Sequence, residues 1–199
     1  EMIQPVIRQV LDAVGGIGNI GFTCSGSSDY LAGQAFSFVM TLDAVGAYPP
    51  IVESHVEMDG AWALYEAWLK IQAGHADTAL VYSYSKASPG DLPRVMSRGL
   101  DPYYYGPIWP DSVAMAGLQA RAMLDAGLIT VEQMAEIAHR NRTAAADNPH
   151  AQLKGSPSVE ELLATETISD PLRRHDCPPI TDGGVAVVLA AGDTAREWS

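Results

Sequence analysis

The chain has 199 residues, 47% of them hydrophobic, and sets 12 Lys and Arg against 24 Asp and Glu for a net charge of −12. That apolar content suits one compact domain or a large piece of a bigger one and excludes intrinsic disorder, while the acidic balance opposes nonspecific nucleic-acid binding and attraction to an anionic membrane surface. With no apolar run of the ~18 residues that a membrane span needs, an acidic start unlike a signal peptide, and only Cys24 and Cys177 as thiols, the expectation is a cytoplasmic protein with reduced cysteines.

Ile3, Val6, Ile7, Val10, Leu11 and Val14 share one helical face and predict a helix over residues 2–14, stopped by Gly15-Gly16. Residues 19–24 read as a short buried strand. Ser25-Gly26-Ser27-Ser28-Asp29 then forms a turn able to cap a helix over 30–43, and Tyr48-Pro49-Pro50 delivers the chain to a strand at Ile51. This strand passes through His55 and Glu57 straight into a helix over 60–74, in which Ala61, Leu64, Tyr65, Trp68 and Ile71 recur at helical spacing. Another strand is predicted over 78–83. Strands joined by crossover helices imply an α/β class with a mostly parallel sheet and helices on both faces.

From 85 to 110 the rhythm breaks at Pro89, Pro93, Pro102 and Pro107 and at the run Tyr103-Tyr104-Tyr105. A loop of this length either serves a site or acts as a lid or subunit contact. Helices are predicted over 112–126 and 131–146, the second opened by the capping pair Thr130 and Gln133, and Ser158 with Glu161 offers a further start. Thr181-Asp182-Gly183-Gly184 turns into an apolar run, 185–190, predicted as a strand in the middle of a sheet.

Candidate chemistry concentrates where the strand at 51 meets its helix, because such junctions aim side chains and free N–H groups into the crevice at the carboxyl ends of parallel strands. His55, Glu57 and Asp59 crowd this turn. The carboxylates either cap the helix or, with the imidazole, transfer protons at a C–O–H or C–H bond. Cys24 sits at a strand-to-helix turn that invites comparison with a nucleophile elbow, but it lacks Gly-x-Ser-x-Gly spacing and reads rather as a small buried thiol at a strand end. His175-Asp176 offers a second acid–base pair or an exposed loop. Arg140 with Arg142 and Arg173 with Arg174 suit either a phosphorylated ligand or solvation. The five histidines show neither i, i+4 pairing nor a Cys-x-x-Cys partner, so spacing assigns no metal, and Gly183-Gly184 lacks the frame of a dinucleotide cradle.

Several segments, in order, resemble the thiolase superfamily and specifically its sterol-carrier-protein-like or lipid-transfer-protein branch. Residues 60–74 resemble the helix behind the thiolase nucleophile and 78–87 the strand after it. Ile137-Ala138-His139-Arg140-Asn141-Arg142 and Asn148-Pro149-His150-Ala151-Gln152 resemble the loop domain with its Asn-Pro-x-Ala-Gln signature. Asp176-Cys177-Pro178-Pro179-Ile180-Thr181-Asp182-Gly183-Gly184 resembles the segment that closes the amino-terminal half. The resemblance implies a thiolase-like layered fold, with 1–84 and 181–199 forming the amino-terminal half and 85–180 a helical loop domain. It implies a second, similar half beyond Ser199 that holds further catalytic groups, including tyrosines, and a strand before the first helix.

Aligned on Gly60, the place of the thiolase cysteine is taken by Glu57, which removes the nucleophile for an acyl-enzyme. The pattern looks most like thiolase-like aldolases of bacterial steroid side-chain degradation. That resemblance implies retro-aldol cleavage of a β-hydroxyacyl-CoA to a ring ketone and a short acyl-CoA, with coenzyme A entering only as part of the substrate. It also implies an OB-fold partner of the DUF35 type and homodimerisation through the strand at Ile51. Catalytic roles are expected for Glu57, His55 and Asp59, and substrate contacts for Tyr103, Tyr104, Tyr105 and Trp109. An acyl-CoA acyltransferase and a non-catalytic lipid-binding subunit are the alternative functions.

Overall fold

Alternating side chains that are small or apolar on both faces let one strand lie under helices from either side. Phe22 to Ser27 is such a strand, buried at every position in a computed structural model that describes residues 2–29, 36–46 and 52–198. The elements are α1 (Gln4–Ala13), β1 (Phe22–Ser27), α2 (Leu42–Val45), β2 (Glu53–Glu57), α3 (Gly60–Gln72), β3 (Thr78–Ser85), α4 (Leu92–Arg98), α5 (Ser112–Asp125), α6 (Val131–Ala144), α7 (Val159–Leu163), β4 (Thr167–Ser169), β5 (Leu172–Arg173), β6 (Gly183–Ala190) and α8 (Gly192–Trp198). They fall into two compact units, 1–90 with 182–199, and 91–181.

The first unit is a four-stranded sheet in the order β2-β1-β3-β6, with β1 parallel to both β2 and β3, and β6 antiparallel to β3. Strand alternation divides its core. Leu80 and Tyr82 turn toward α1, where Ile3, Ile7, Leu11, Val45 and Ala186 complete one cluster; Phe22, Cys24, Ala79 and Val81 turn the other way, toward Ala63 and Ala67 of α3. The alanine seam lets α3 settle closely on the sheet. A Cβ on Gly60 would lie 2.8 Å from the Ser83 Cβ, so this helix start approaches β3 more nearly than a larger residue permits. Tyr65 and Trp68 lie on the outer side of α3, about half exposed, with their rings stacked at 5.9 Å.

Four expectations change. Strand β6 lies last in the sheet order and pairs antiparallel, so Val185 and Val187 are exposed rather than central. A short apolar run does not by itself distinguish a central strand from an edge one. The first strand begins at Phe22, after a 3₁₀ turn at Ile17–Asn19. Of the helix predicted over 30–43, residues 30–35 lie outside the described residues, as do Tyr48-Pro49-Pro50 and Ile51. The rest of that span is a 3₁₀ turn, Ser37–Thr41, leading into α2, and Phe36 before it is left-handed at φ 56°, which no helix continues through. Finally, the predicted loop 85–110 contains α4, opened by the Asp91 cap and Pro93, and a 3₁₀ turn at Gly106–Ile108.

The second unit comprises α4 to α7 and the β4–β5 hairpin. Both expected capping boxes, Thr130 with Gln133 and Ser158 with Glu161, are formed. Among the described residues no helix is long and apolar enough to cross a membrane.

Candidate active site

The parallel register of β1 and β2 sets Ser25 beside His55 and Ser27 beside Glu57. Because side chains two apart share a face, all four project to the same side of the sheet near the carboxyl ends of the strands. Ser25 Oγ and His55 Nδ1 are hydrogen-bonded at 2.9 Å, and the Phe38 ring stacks on the imidazole with 5.0 Å between centroids. The other ring nitrogen, Nε2, is buried without a hydrogen-bond partner and lies 3.5 Å from Glu57 Oε2. Glu57 is the accessible member of this pair, its side chain 52% exposed against 17% for His55.

Asp29 brings the chain after β1 back to this point. Its backbone N–H donates to Glu57 Oε1 at 2.7 Å, and its own carboxylate accepts from the Ser37 N–H at 3.2 Å and from the Ser27 hydroxyl at 3.4 Å. Hydrogen bonding from the Ser37 side chain, with smaller help from the Ser37 and Phe36 backbone, holds the Asp29 carboxyl below its ordinary range. Behind His55, the Ser25 position pairs with Tyr82 of β3, whose hydroxyl shares a 3.2 Å hydrogen bond with Thr41 Oγ1. Burial pushes the Tyr82 phenol up, against the opposing hydrogen bonds of Thr41 and Ser25. The imidazole is therefore fixed from three sides: Ser25 below, Phe38 on its face, and Glu57 at its outer nitrogen.

Asp59 does different work. Its Oδ1 accepts the N–H groups of Ala61 at 2.9 Å and Trp62 at 3.0 Å as the N-cap of α3, an arrangement worth about 1 kcal/mol. The donor atoms that converge with Glu57 are those of His55 and Asp29, all within 4.8 Å of one another. Sequence patterns alone present Asp29 as a turn residue and do not single out Ser25 or Phe38; the findable signal is the pair of i, i+2 polar patterns, Ser25-x-Ser27 and His55-x-Glu57, on adjacent parallel strands.

Both thiols are poor nucleophiles. Cys24 is fully buried against α3, and its pKa is pushed up from 9.0 to about 12, first by desolvation and then by Glu66. Burial and Asp176 likewise raise Cys177. A thiol that ionises less readily when folded stabilises the fold fully below pH 9, and this contribution is lost as pH rises toward 12, because the unfolded chain releases the proton first. Urea denaturation at about pH 8 and about pH 10.5 is expected to show an alkaline loss of stability that is smaller in Cys24→Ala, and iodoacetamide at about pH 8 is expected to leave Cys24 of the folded protein unmodified.

The remaining candidates belong to the second unit. Tyr103 and Tyr104 are 84% and 80% exposed, with their N–H groups donating to the Asp101 carboxylate at 2.9 and 2.8 Å; Tyr105 is partly covered. Trp109 lines a cleft of about 550 Å³ with Arg94, Asp111, Val113 and Ile168, whereas the three tyrosines are not among its lining residues. Asp176 accepts from the Arg173 N–H at 2.7 Å, and His175 Nδ1 lies 3.2 Å from Arg142 Nη2. With Arg173 Nε donating to the Thr165 carbonyl at 3.1 Å and Arg174 Nη1 to the Cys177 carbonyl at 3.5 Å, both members of the His175-Asp176 pair, Arg142, Arg173 and Arg174 are engaged within this unit.

No protein-family model matches the chain. It is 31% identical over 157 residues to an acetyl-CoA acetyltransferase of Methanothermobacter thermautotrophicus, covering 75% of this chain and 40% of that protein. It is 28% identical over 142 residues to sterol carrier protein 2 of Homo sapiens, covering 66% of this chain and 26% of that protein. Among solved structures, an Ltp2-ChsH2(DUF35) aldolase superposes over 99% of this chain and 53% of its own with a TM-score of 0.67 and 20% identity, a likeness of fold. The chain thus spans well under half the length of the curated relatives it matches.

Proposed function

Because this chain belongs to the thiolase superfamily, we propose that it forms part of a carbon–carbon lyase that cleaves a β-hydroxyacyl-CoA by retro-aldol chemistry. The observation that supports this reading is the carboxylate of Glu57, facing His55 at 3.5 Å, at the position where the resemblance aligns the thiolase cysteine. An acyl-enzyme route needs an activated thiol, and neither Cys24 nor Cys177 is one.

Retro-aldol cleavage needs a base rather than a nucleophile. Glu57 takes the proton of the β-hydroxyl; the C–O bond becomes a carbonyl as the Cα–Cβ bond breaks, and the electron pair passes into the thioester enolate. Protonation at Cα then releases the short acyl-CoA, so substrate gives ketone plus acyl-CoA with no other reactant. His55, whose Nε2 has no hydrogen-bond partner, receives the proton from Glu57 and relays it onward, while Ser25 and Phe38 hold the ring. Asp59 positions this turn through its helix cap. Coenzyme A enters as part of the substrate. In the same reading the substrate is a steroid side chain, Tyr103, Tyr104, Tyr105 and Trp109 contact it, and the protein works in the cytoplasm as a homodimer with an OB-fold DUF35-type partner.

Incubating the full-length protein and that partner with a β-hydroxyacyl-CoA steroid is expected to yield ketone and short acyl-CoA in equal amounts. Consumption of free CoA with release of a shortened acyl-CoA, the outcome of thiolysis, would overturn the proposal. The likeness to an acetyl-CoA acetyltransferase favours acyl transfer as the second reading. That reading requires a reactive cysteine outside these 199 residues.

A further inference from the structure

We propose that Asp29, His55 and Glu57 form a binding site for a divalent first-row transition cation of the zinc class. One imidazole nitrogen and two carboxylate oxygens converge within 4.8 Å of one another, drawn from the end of β2, its centre, and the segment after β1. Bonds of about 2.1 Å in tetrahedral geometry place donors about 3.4 Å apart. The 3.5 Å between His55 Nε2 and Glu57 Oε2 already meets that spacing, and an Asp29 carboxylate oxygen lies within 4.8 Å of both.

The independent pointer is His55 Nε2 itself, buried and without a hydrogen-bond partner while aimed at the Glu57 carboxylate. A buried polar atom left unsatisfied is costly, and a cation on its lone pair removes that cost. Its other nitrogen is held by Ser25 Oγ at 2.9 Å, and with Nδ1–H donating to that oxygen the lone pair lies on Nε2, the outer-sphere arrangement common to metal-bound histidines. Two carboxylates and a neutral imidazole also balance a double positive charge. The Ser37 N–H, donating to Asp29 Oδ1 at 3.2 Å, holds the Asp29 carboxylate in place beside the other two donors. A mixed nitrogen and oxygen donor set selects zinc-class ions over Mg²⁺ and Ca²⁺, which prefer oxygen alone. Sequence spacing hid the site because its three donors meet through strand register, with Asp29 lying 28 positions from Glu57.

A cation held here occupies the Nε2 lone pair and the Glu57 carboxylate that the proposed reaction uses, so it blocks that reaction rather than takes part in it; the inference stands apart from that reading, and binding is its readout. Full-length protein freed of metal by chelation and titrated calorimetrically with Zn²⁺ is expected to bind one ion at this site, with Mg²⁺ at equal concentration failing to compete. Asp29→Asn and His55→Gln are each expected to weaken binding by about 10- to 100-fold or more. X-ray absorption of the zinc-loaded wild-type protein is expected to show an imidazole and oxygen shell. That measurement needs no variant to fold. Sulfur scattering, which would place the ion at Cys24 or Cys177, absence of binding, or unchanged affinity in both folded variants would each overturn the proposal.

Discussion

Glu57→Gln is expected to lower turnover of the β-hydroxyacyl-CoA about 10²- to 10⁴-fold, the span usual for loss of a general base. Glutamine preserves the shape and one acceptor oxygen, so the 2.7 Å hydrogen bond from the Asp29 N–H survives and the turn keeps its form. KM is therefore expected to stay within about threefold, since the interaction removed is one made chiefly in the transition state. Steady-state kinetics on the full-length protein, with thermal melts to establish folding, make the check. Unchanged turnover would return the turn to a purely structural role and place the base elsewhere in the protein.

Gly26→Ala is expected to destabilise the first unit by about 3 kcal/mol, at the upper end for overpacking. A Cβ at this position would lie 2.4 Å from the Asp59 carbonyl oxygen and 2.7 Å from its carbon, and neither is a side chain that can swing away. Gly26 occupies the central strand, with Val56 and Ser83 beside it in the sheet, so β1 has little freedom to retreat. The expected relaxation moves the start of α3, which displaces the Asp59 cap and the adjoining Glu57 together. Gly183→Ala is the matched control. Its Cβ would meet nothing within 4 Å, and a change below about 0.5 kcal/mol is expected. Urea denaturation of both variants reads the difference, and equal stabilities would refute the close packing of β1 on this turn.

Local patterns revealed more of this molecule than pairings did. The strand-turn-helix at 53–72 was legible because its polar turn, capping aspartate and helical repeat are contiguous, and the capping boxes at Thr130 and Ser158 were legible for the same reason. The α4 helix carried its own signal, an Asp91 cap with Pro93 in the first turn, but the neighbouring prolines and tyrosines masked it. Edge position is different in kind: the residues of β6 read as core, and only the sheet order places them at the border. The site divides the same way. His55 and Glu57 stood together in the sequence, whereas Ser25, Asp29 and Phe38 reach them only through the parallel register of β1 with β2 and the return of the chain past Phe36. Asp59 looked equivalent to Glu57 in the sequence, and only hydrogen-bond partners distinguish the cap from the residue facing the imidazole.

On the proposed retro-aldol route a carbon–carbon bond breaks without an acyl-enzyme. Intact-mass spectrometry of the full-length protein, quenched during turnover of a β-hydroxyacyl-CoA, tests it most directly. Ketone is expected to accumulate while the polypeptide keeps its unmodified mass at every time point. An acyl adduct that rises and decays with turnover, mapped to a cysteine, would contradict it.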